Sequence, residues 1–322
     1  MSTQDIRYSF GPVPSRRLGR SLGINNIPVK NCSYACCYCQ VGQTTAMTAD
    51  RREFYPPGVV IDDVLNRVAA AREAGEQIDY LTFVPDGEPT LDINLGHEIA
   101  ELQRTGIPVA VITNGSLLAR EDVREDLSRA DWVSLKFDAV RESTWRRINR
   151  PVRTINLADV LVGARDFAAG YSGMLVTETM LVQDFNTSED DLRETAEFIR
   201  SVDPAIAYLS IPTRPPVDAS VRGPEHEVLN QAFQVFGQSV PQVEYLIGYE
   251  GDEFASTGDI VRDLLSITAV HPMRRNALEQ FLENHGGSWE TVDGLLSRGD
   301  LVETAYRGNL YYLRKPRQPA TG

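Results

Sequence analysis

Lysine is nearly missing from this chain of 322 residues. Only Lys30, Lys136 and Lys315 occur, so arginine carries most of the 32 cationic side chains. Against 45 Asp and Glu the net charge is −13, which excludes the broad cationic surface that sequence-independent nucleic-acid capture relies on. No apolar run approaches the ~18–20 residues that span a bilayer. The opening MSTQDIRYSF has no basic stretch followed by an apolar one, so no signal peptide is read there. A cytoplasmic protein without a membrane partner is expected. Cysteine is absent except between Cys32 and Cys39, where four fall within eight residues. With no second C-x2-C knuckle, and with His97, His226, His271 and His285 far along the chain, a structural zinc site lacks its usual ligands.

What is present is a C-x3-C-x2-C spacing, Cys32, Cys36 and Cys39, with Tyr38 just before the third thiol. Clustered cysteines in a reducing compartment are metal-binding or catalytic more often than disulfide-forming. An iron–sulfur cubane usually takes four Cys ligands, so three leave one iron open to an outside ligand. Cys37 has no place in the spacing and reads as a passive neighbour.

Residues 1–21 form an irregular basic lead-in, broken by Gly11, Pro12, Pro14 and Gly19. From 22 to 216 short apolar runs alternate with helical periodicity. Strands are expected at Leu22–Val29, Ile78–Val84, Pro108–Thr113, Trp132–Phe137, Met174–Val182 and Ala205–Ile211, with five helical segments between them. Largely non-alternating apolar strands fit a parallel sheet covered by helices. Rossmann-like and barrel-like windings both fit, and the lack of G-x-G-x-x-G after the first strand counts against a dinucleotide fold. A connecting segment, 217–257, contains a helix over Glu227–Gln238 and a strand over Gln242–Ile247. Three short helices and a hairpin in 258–317 describe a winged-helix-like module, and 318–322 is a tail.

Polar groups interrupt the strand ends. Asp86-Gly87-Glu88-Pro89-Thr90 follows the second strand and Thr113-Asn114-Gly115-Ser116 the third. Ser134, Lys136 and Asp138 share one face of the fourth by period-two spacing, and Thr177, Glu178 and Thr179 interrupt the fifth. Functional groups at the carboxyl ends of successive parallel strands are where barrel enzymes place their sites. Arg16, Arg17 and Arg20, with Arg214 of the Thr213-Arg-Pro-Pro216 motif, are candidate contacts for a substrate anion.

The cysteine spacing resembles that of the radical S-adenosylmethionine (SAM) superfamily, and Gly87-Glu88-Pro89 and Thr113-Asn114-Gly115 are similar to its later motifs. Asp86 stands where the superfamily has a first glycine. FGPVPSRRLGRSLGIN and IPTRPP resemble the subgroup related to the tRNA wybutosine-synthesis (4-demethylwyosine synthase) enzymes, and within it Fe–S oxidoreductases with a C-terminal helical module. The resemblance implies a partial (β/α)6 TIM-like barrel, with Cys32, Cys36 and Cys39 as [4Fe-4S] ligands and Tyr38 beside the adenine. Gly87, Glu88, Pro89, Asn114, Ser134, Lys136 and Glu178 become candidate SAM contacts, with the Glu88 carboxylate or a backbone carbonyl aimed at the SAM ammonium. It also implies an oxidoreductase fed by a flavodoxin- or ferredoxin-type electron donor. Such an enzyme cleaves SAM reductively to a 5′-deoxyadenosyl radical that abstracts hydrogen from substrate. No hydrogen-abstracting side chain and no substrate are identified by it, and the tRNA substrate is not carried over. The rival reading is an iron- or redox-sensing Fe–S or zinc regulator whose winged helix binds DNA.

Overall fold

The computed structural model describes residues 8–246, 254, 256, 259–270, 272–306 and 308–314. Ser9–Ser15 (β1) is a strand despite two prolines, and it pairs antiparallel with Gly19–Ile24 (β2). It lies at the edge of its sheet, where a missing amide removes no ladder bond. The irregular lead-in expected over 1–21 is therefore corrected from Ser9 onward, and β2 begins three residues before the expected Leu22. Asn31–Cys32 (β3) and Ala46–Met47 (β4) form a two-residue parallel ladder at the base of the cysteine loop. Pro57–Glu73 (α1) starts on a proline, whose missing amide has no role in a first turn. It buries Val60, Val64 and Val68 on one face.

The alternation then runs Tyr80–Phe83 (β5), Leu95–Gln103 (α2), Val109–Thr113 (β6), Glu121–Leu127 (α3), Trp132–Lys136 (β7), Glu142–Asn149 (α4) and Leu157–Gly170 (α5). Met174–Met180 (β8), Glu189–Ser201 (α6), Ile206–Ser210 (β9), His226–Ser239 (α7) and Val243–Leu246 (β10) complete it. The sheet order is β1-β2-β5-β6-β7-β8-β9-β10, with every neighbouring pair after β1–β2 parallel. In the connecting segment, 217–257, the strand expected over Gln242–Ile247 is β10, which pairs parallel with β9 and makes a seventh parallel strand through Leu246. Position 247 and the tail lie outside the described residues.

Which winding this is follows from the two faces of the sheet. Leu22, Leu81, Phe83, Val109, Val111, Val133, Leu135 and Leu209 all share one buried cluster with side chains of α1, α2, α3, α5, α6 and α7. Alternate positions on the other face, Ala110, Trp132, Val176, Tyr208 and Leu246, pack against one another and Leu18, with no helix residue among them. Helices on one face and a self-packing second face define a barrel rather than a doubly wound sheet. The fold is a partial barrel. Its floor is apolar at the strand starts, and Ser134, Lys136, Glu178 and Ser210 follow higher on the same inner face. Each large apolar side chain buried this way contributes about 1.5–3 kcal/mol.

The last described region is Ile260–Val270 (α8), Met273–Arg274 (β11), Arg275–His285 (α9), Trp289–Ser297 (α10), Leu301–Tyr306 (β12) and Asn309–Arg314 (β13). Its three strands order β11-β13-β12, all antiparallel. Its core, including Leu264, Phe281, Leu295 and Tyr312, is continuous with Phe10 and Val13 of β1. At the other side Tyr306 Oη donates to Pro212 O (3.0 Å) and Tyr311 Oη to Thr213 O (2.9 Å). The region thus bridges the N-terminal edge strand and the loop after β9.

Candidate active site

The cysteine loop follows β2 and is pinned by its own backbone. Ala35 N donates to Asn149 O (3.1 Å), Cys37 N to Ile148 O (2.9 Å) and Val152 N to Ser33 O (2.9 Å), so the loop occupies the orphan carbonyls that end α4. On its other side Val217 N donates to Cys39 O (2.9 Å) and Asp218 N to Cys37 O (3.3 Å). Cys32, Cys36 and Cys39 remain partly accessible while Cys37 is fully enclosed. Cys37 packs with Tyr34, Tyr38, Trp145 and Ile148.

Burial, then the Glu88 carboxylate, pushes Cys32 up to about 12, with Cys39 adding to it. Burial and Asp138 push Cys36 well up, with smaller contributions from Cys32 and Cys39. Burial also raises Cys39, against Lys30 and Lys136. Thiols whose ionisation is opposed in this way become thiolate when a multiply charged cationic centre compensates them. Cys37 is raised to about 11 chiefly by burial, with Arg150, Asp138 and Asp218 as its charged neighbours. Three thiols are the donor chemistry that an iron–sulfur cluster takes, and Cys37 is the one enclosed by its neighbours.

Two side-chain amides reach the sulfurs. Asn114 Nδ2 lies 3.6 Å from Cys32 Sγ and 2.9 Å from Ser33 Oγ, and Asn149 Nδ2 lies 3.5 Å from Cys36 Sγ. Asn114 was legible in its motif. Asn149 was not, because α4 follows no strand-end motif and its arginines masked its apolar face.

Gly87 lies against the cysteine loop so closely that a Cβ there would meet Asn31 O at 1.9 Å. Glycine is required by approach, since its φ is not positive, and Asp86 in place of the family glycine sits in ordinary backbone. The Glu88 carboxylate accepts from Thr90 N (3.1 Å), Thr90 Oγ1 (2.6 Å), Thr113 Oγ1 (2.6 Å) and Asn114 N (2.8 Å). Fully buried and four times bonded, it braces the turn after β5 to the loop after β6. The Pro89 carbonyl is likewise taken, by Asn26 Nδ2 at 3.1 Å. Asp86 O accepts from Lys30 N and Glu88 O from Leu91 N.

Inside the barrel, Glu178 is also committed. It accepts from Arg17 Nη1 at 2.5 Å, Lys136 Nζ at 2.9 Å and Ser210 Oγ at 2.9 Å. Burial alone would raise its carboxyl, but Lys136 and Arg17 outweigh it and hold it far below the usual range. The Lys136 ammonium also rests 5.1 Å from the centroid of the Tyr38 ring. Tyr38 Oη donates to Asp138, which accepts as well from Asn149 Nδ2 (2.6 Å) and Met180 N (2.8 Å). Ser134 is buried on the same inner face. Glu178 thus ties Arg17, Lys136 and Ser210 together on the inner face. Ser210 went unnoticed in the sequence, although its period-two spacing from Tyr208 marks the inner face.

The arginine set does not stay together. Arg17 is spent on Glu178. Arg16 and Arg20 are exposed at the hairpin that starts β2, where Arg20 N donates to Asp79 (2.7 Å). That is the strand-start end of a sheet whose strand ends carry the cysteine loop. Arg214 lies after β9, at the opposite end. A single anion site built from Arg16, Arg17, Arg20 and Arg214 is therefore ruled out.

Residues 26–199 match the family model described as the radical SAM superfamily. The chain is 43% identical over 311 residues to the UPF0026 protein MJ1312 of Methanocaldococcus jannaschii, covering 96% of each. It is 36% identical over 217 residues to the UPF0026 protein slr1464 of Synechocystis, covering 66% of this chain and 79% of that one. Among solved structures, TYW1 with a lysine–pyruvate adduct bound superposes with a TM-score of 0.54 at 18% identity, over 69% of this chain and 74% of that one; this is a likeness of fold. Enzymes of the matched superfamily use a [4Fe-4S] cluster and SAM. The thiols gathered at the strand ends of a partial barrel and the sequence match over most of that barrel agree: this chain belongs to the radical SAM superfamily.

Proposed function

We propose that Cys32, Cys36 and Cys39 hold a [4Fe-4S] cluster which, with SAM at its open iron, supplies a 5′-deoxyadenosyl radical for hydrogen abstraction from a substrate in the barrel. The observation that supports this reading is that Cys32, Cys36 and Cys39 are partly accessible, with side-chain amides at Cys32 and Cys36, while Cys37 is enclosed. Asn114 and Asn149 donate toward Cys32 and Cys36 and fix their sulfurs. Of the carbonyls in the Asp86–Pro89 turn, that of Gly87 accepts no hydrogen bond among the described residues, and it takes the SAM ammonium. Tyr38 has its hydroxyl tied to Asp138 and Lys136 over its ring, which fixes it beside the cysteines where the adenine is proposed to lie. Ser134 and Lys136 line the inner face where the ribose lies. Arg17, Glu178 and Ser210 form a fixed polar network beside them, so that water is excluded by groups already satisfied.

The terminal helices and strands form a winged-helix-like cover over the barrel. Their hairpin tyrosines are used on Pro212 and Thr213, and α10 exposes Glu290 and Asp293, which repel phosphate. This favours a cover over a DNA-binding regulator. Anaerobic reconstitution with iron and sulfide, followed by dithionite and SAM, tests the whole reading. Release of 5′-deoxyadenosine is expected from the native chain and none from Cys36→Ala. A reconstituted cluster that never consumes SAM sinks it.

A further inference from the structure

On a chain of net charge −13, the stretch 141–153 holds five arginines and one acid, Glu142. Arg141 is occupied by Glu194 and Asp190 on α6. The other four, Arg146, Arg147, Arg150 and Arg153, are exposed. Their local carboxylates are few: Glu142 meets Arg146 at 2.6 Å and Asp218 meets Arg150 at 3.0 Å. Arg147 donates to the Phe185 carbonyl and not to an acid, and Arg153 makes no ion pair among the described residues. The surface is concave there. A depression of about 490 Å³ between α4 and α5 is lined by Arg146, Arg153, Thr154 and Leu161, among others.

What distinguishes this patch is its backing. Asn149, between exposed Arg147 and Arg150, is buried with its amide 3.5 Å from Cys36 Sγ. The carbonyls of Ile148, Asn149 and Arg150 are the acceptors of the cysteine-loop amides. Trp145 Nε1 donates to Tyr34 Oη (3.2 Å), and these rings with Tyr38, Cys37 and Ile148 make a continuous buried wall. The patch thus approaches the cysteines from outside, while that wall closes it off from the barrel interior that holds Lys136 and Glu178. A hydrogen-donating substrate has no use for such an approach; a carrier of electrons does.

We infer that the arginine face of α4 and the 150–153 turn is the docking surface for an acidic one-electron carrier protein of the flavodoxin kind. This rests on the cluster reading above and adds the site of delivery. One electron leaves the anionic flavin hydroquinone, which becomes the neutral semiquinone. One electron enters the iron–sulfur unit held by Cys32, Cys36 and Cys39, and no bond to the protein forms or breaks. Charge complementarity favours this occupant: opposed charge steers encounter and fixes orientation, and four exposed cations stand out on an otherwise acidic molecule. RNA is the other polyanion such a face could hold, but the buried wall separates the face from the reacting centre.

The test uses the reconstituted full-length protein, native and as Arg146→Glu/Arg153→Glu, with Arg104→Glu, exposed after α2 and paired with Glu101, as a distant control. A purified bacterial flavodoxin in its hydroquinone state is the probe. Cluster bleaching by flavodoxin is expected to slow roughly tenfold or more in the double variant at low salt, and native protein to approach that rate as salt is raised. Flavodoxin binding, followed by calorimetry with the oxidised carrier, weakens in parallel. Bleaching by dithionite, iron content and urea midpoint stay as in the native protein. Flavodoxin rates equal in native and variant protein overturn the inference, as does loss of binding to a single-stranded RNA oligonucleotide with flavodoxin-driven reduction intact. If dithionite itself leaves the native cluster unreduced, the cluster reading fails first and takes this inference with it.

Discussion

Arg17 and Glu178, 161 positions apart, meet at 2.5 Å on the inner face of the barrel with little exposure of either side chain. With Lys136 they make a cation–carboxylate–cation run in which removing one end leaves Glu178 half-compensated. Arg17→Met is expected to cost about 2–4 kcal/mol in urea unfolding at neutral pH. Glu178 is held below its ordinary value. Its stabilisation is therefore present above the unfolded carboxyl value of 4.5 and is lost only as pH falls toward the depressed folded value. The variant should show a shallower loss of stability below pH 4.5 than the native chain, measured as urea midpoint against pH.

Glu88 is expected to act on the cluster through geometry. Glu88→Gln keeps the volume but turns an amide group toward donors that need an acceptor. Each lost bond to the carboxylate costs about 1.5–3 kcal/mol. Because Asn114 is among the partners, iron retained after reconstitution should fall together with stability. Full iron loading in Glu88→Gln would show that Asn114 is held without it.

Two glycine substitutions should go in opposite directions. Gly87→Ala places a methyl 1.9 Å from Asn31 O, a backbone atom beside Cys32, and is expected to cost roughly 3 kcal/mol or more with loss of bound iron. Gly58→Ala, in the first turn of α1 with nothing within 4 Å, is expected to stabilise by about 0.5–1 kcal/mol. Thermal unfolding of the two variants side by side checks both.

Away from the site, Glu98 on α2 is fully buried with neither carboxylate oxygen bonded among the described residues. Burial, then Asp92, pushes it up to about 9 from an ordinary 4.5, and burial pushes Asp92 to about 7. The folded state thus holds a proton that the unfolded chain releases. The contribution of this group to stability is greatest below pH 4.5 and declines as pH rises toward 9, at up to about 1.4 kcal/mol per pH unit. Glu98→Met should remove that decline and stabilise the protein at pH 8–9. An unchanged pH profile in the variant rejects the assignment.

The parallel strands were legible because each is a short apolar run bounded by turn residues, and Trp132–Lys136 and Ile206–Ser210 lie within one residue of the expected limits at each end. The helical periodicity between the fifth and sixth expected strands is the helix Glu189–Ser201, helped by a serine cap at Ser188. β1 was hidden by Pro12 and Pro14, which local propensity penalises and an edge position permits. α4, only eight residues long, lacks the length at which periodicity can be told from chance. The cysteine trio was plain from spacing alone. That Glu88 and Glu178 brace neighbouring elements could not be read locally, since their partners Thr113, Asn114, Arg17 and Ser210 come from elements tens to more than a hundred positions away. The same distance concealed the split of the arginines between opposite ends of the sheet.

The shared core of β1 and the last helices and strands has a consequence for how the chain acquires its shape. Phe10 shares a buried cluster with Leu264 and Tyr312, contacts that span 254 and 302 positions. During synthesis the strands and cysteine loop can form from the emerging chain, but the outer side of β1 waits for the final stretch. Contacts of such long range close late, and until then an unpaired, apolar edge is open to another chain. A nascent chain stalled before position 260 should therefore carry a formed barrel and still associate with its own kind. Release of the final helices and strands would mark the point at which the molecule becomes monodisperse.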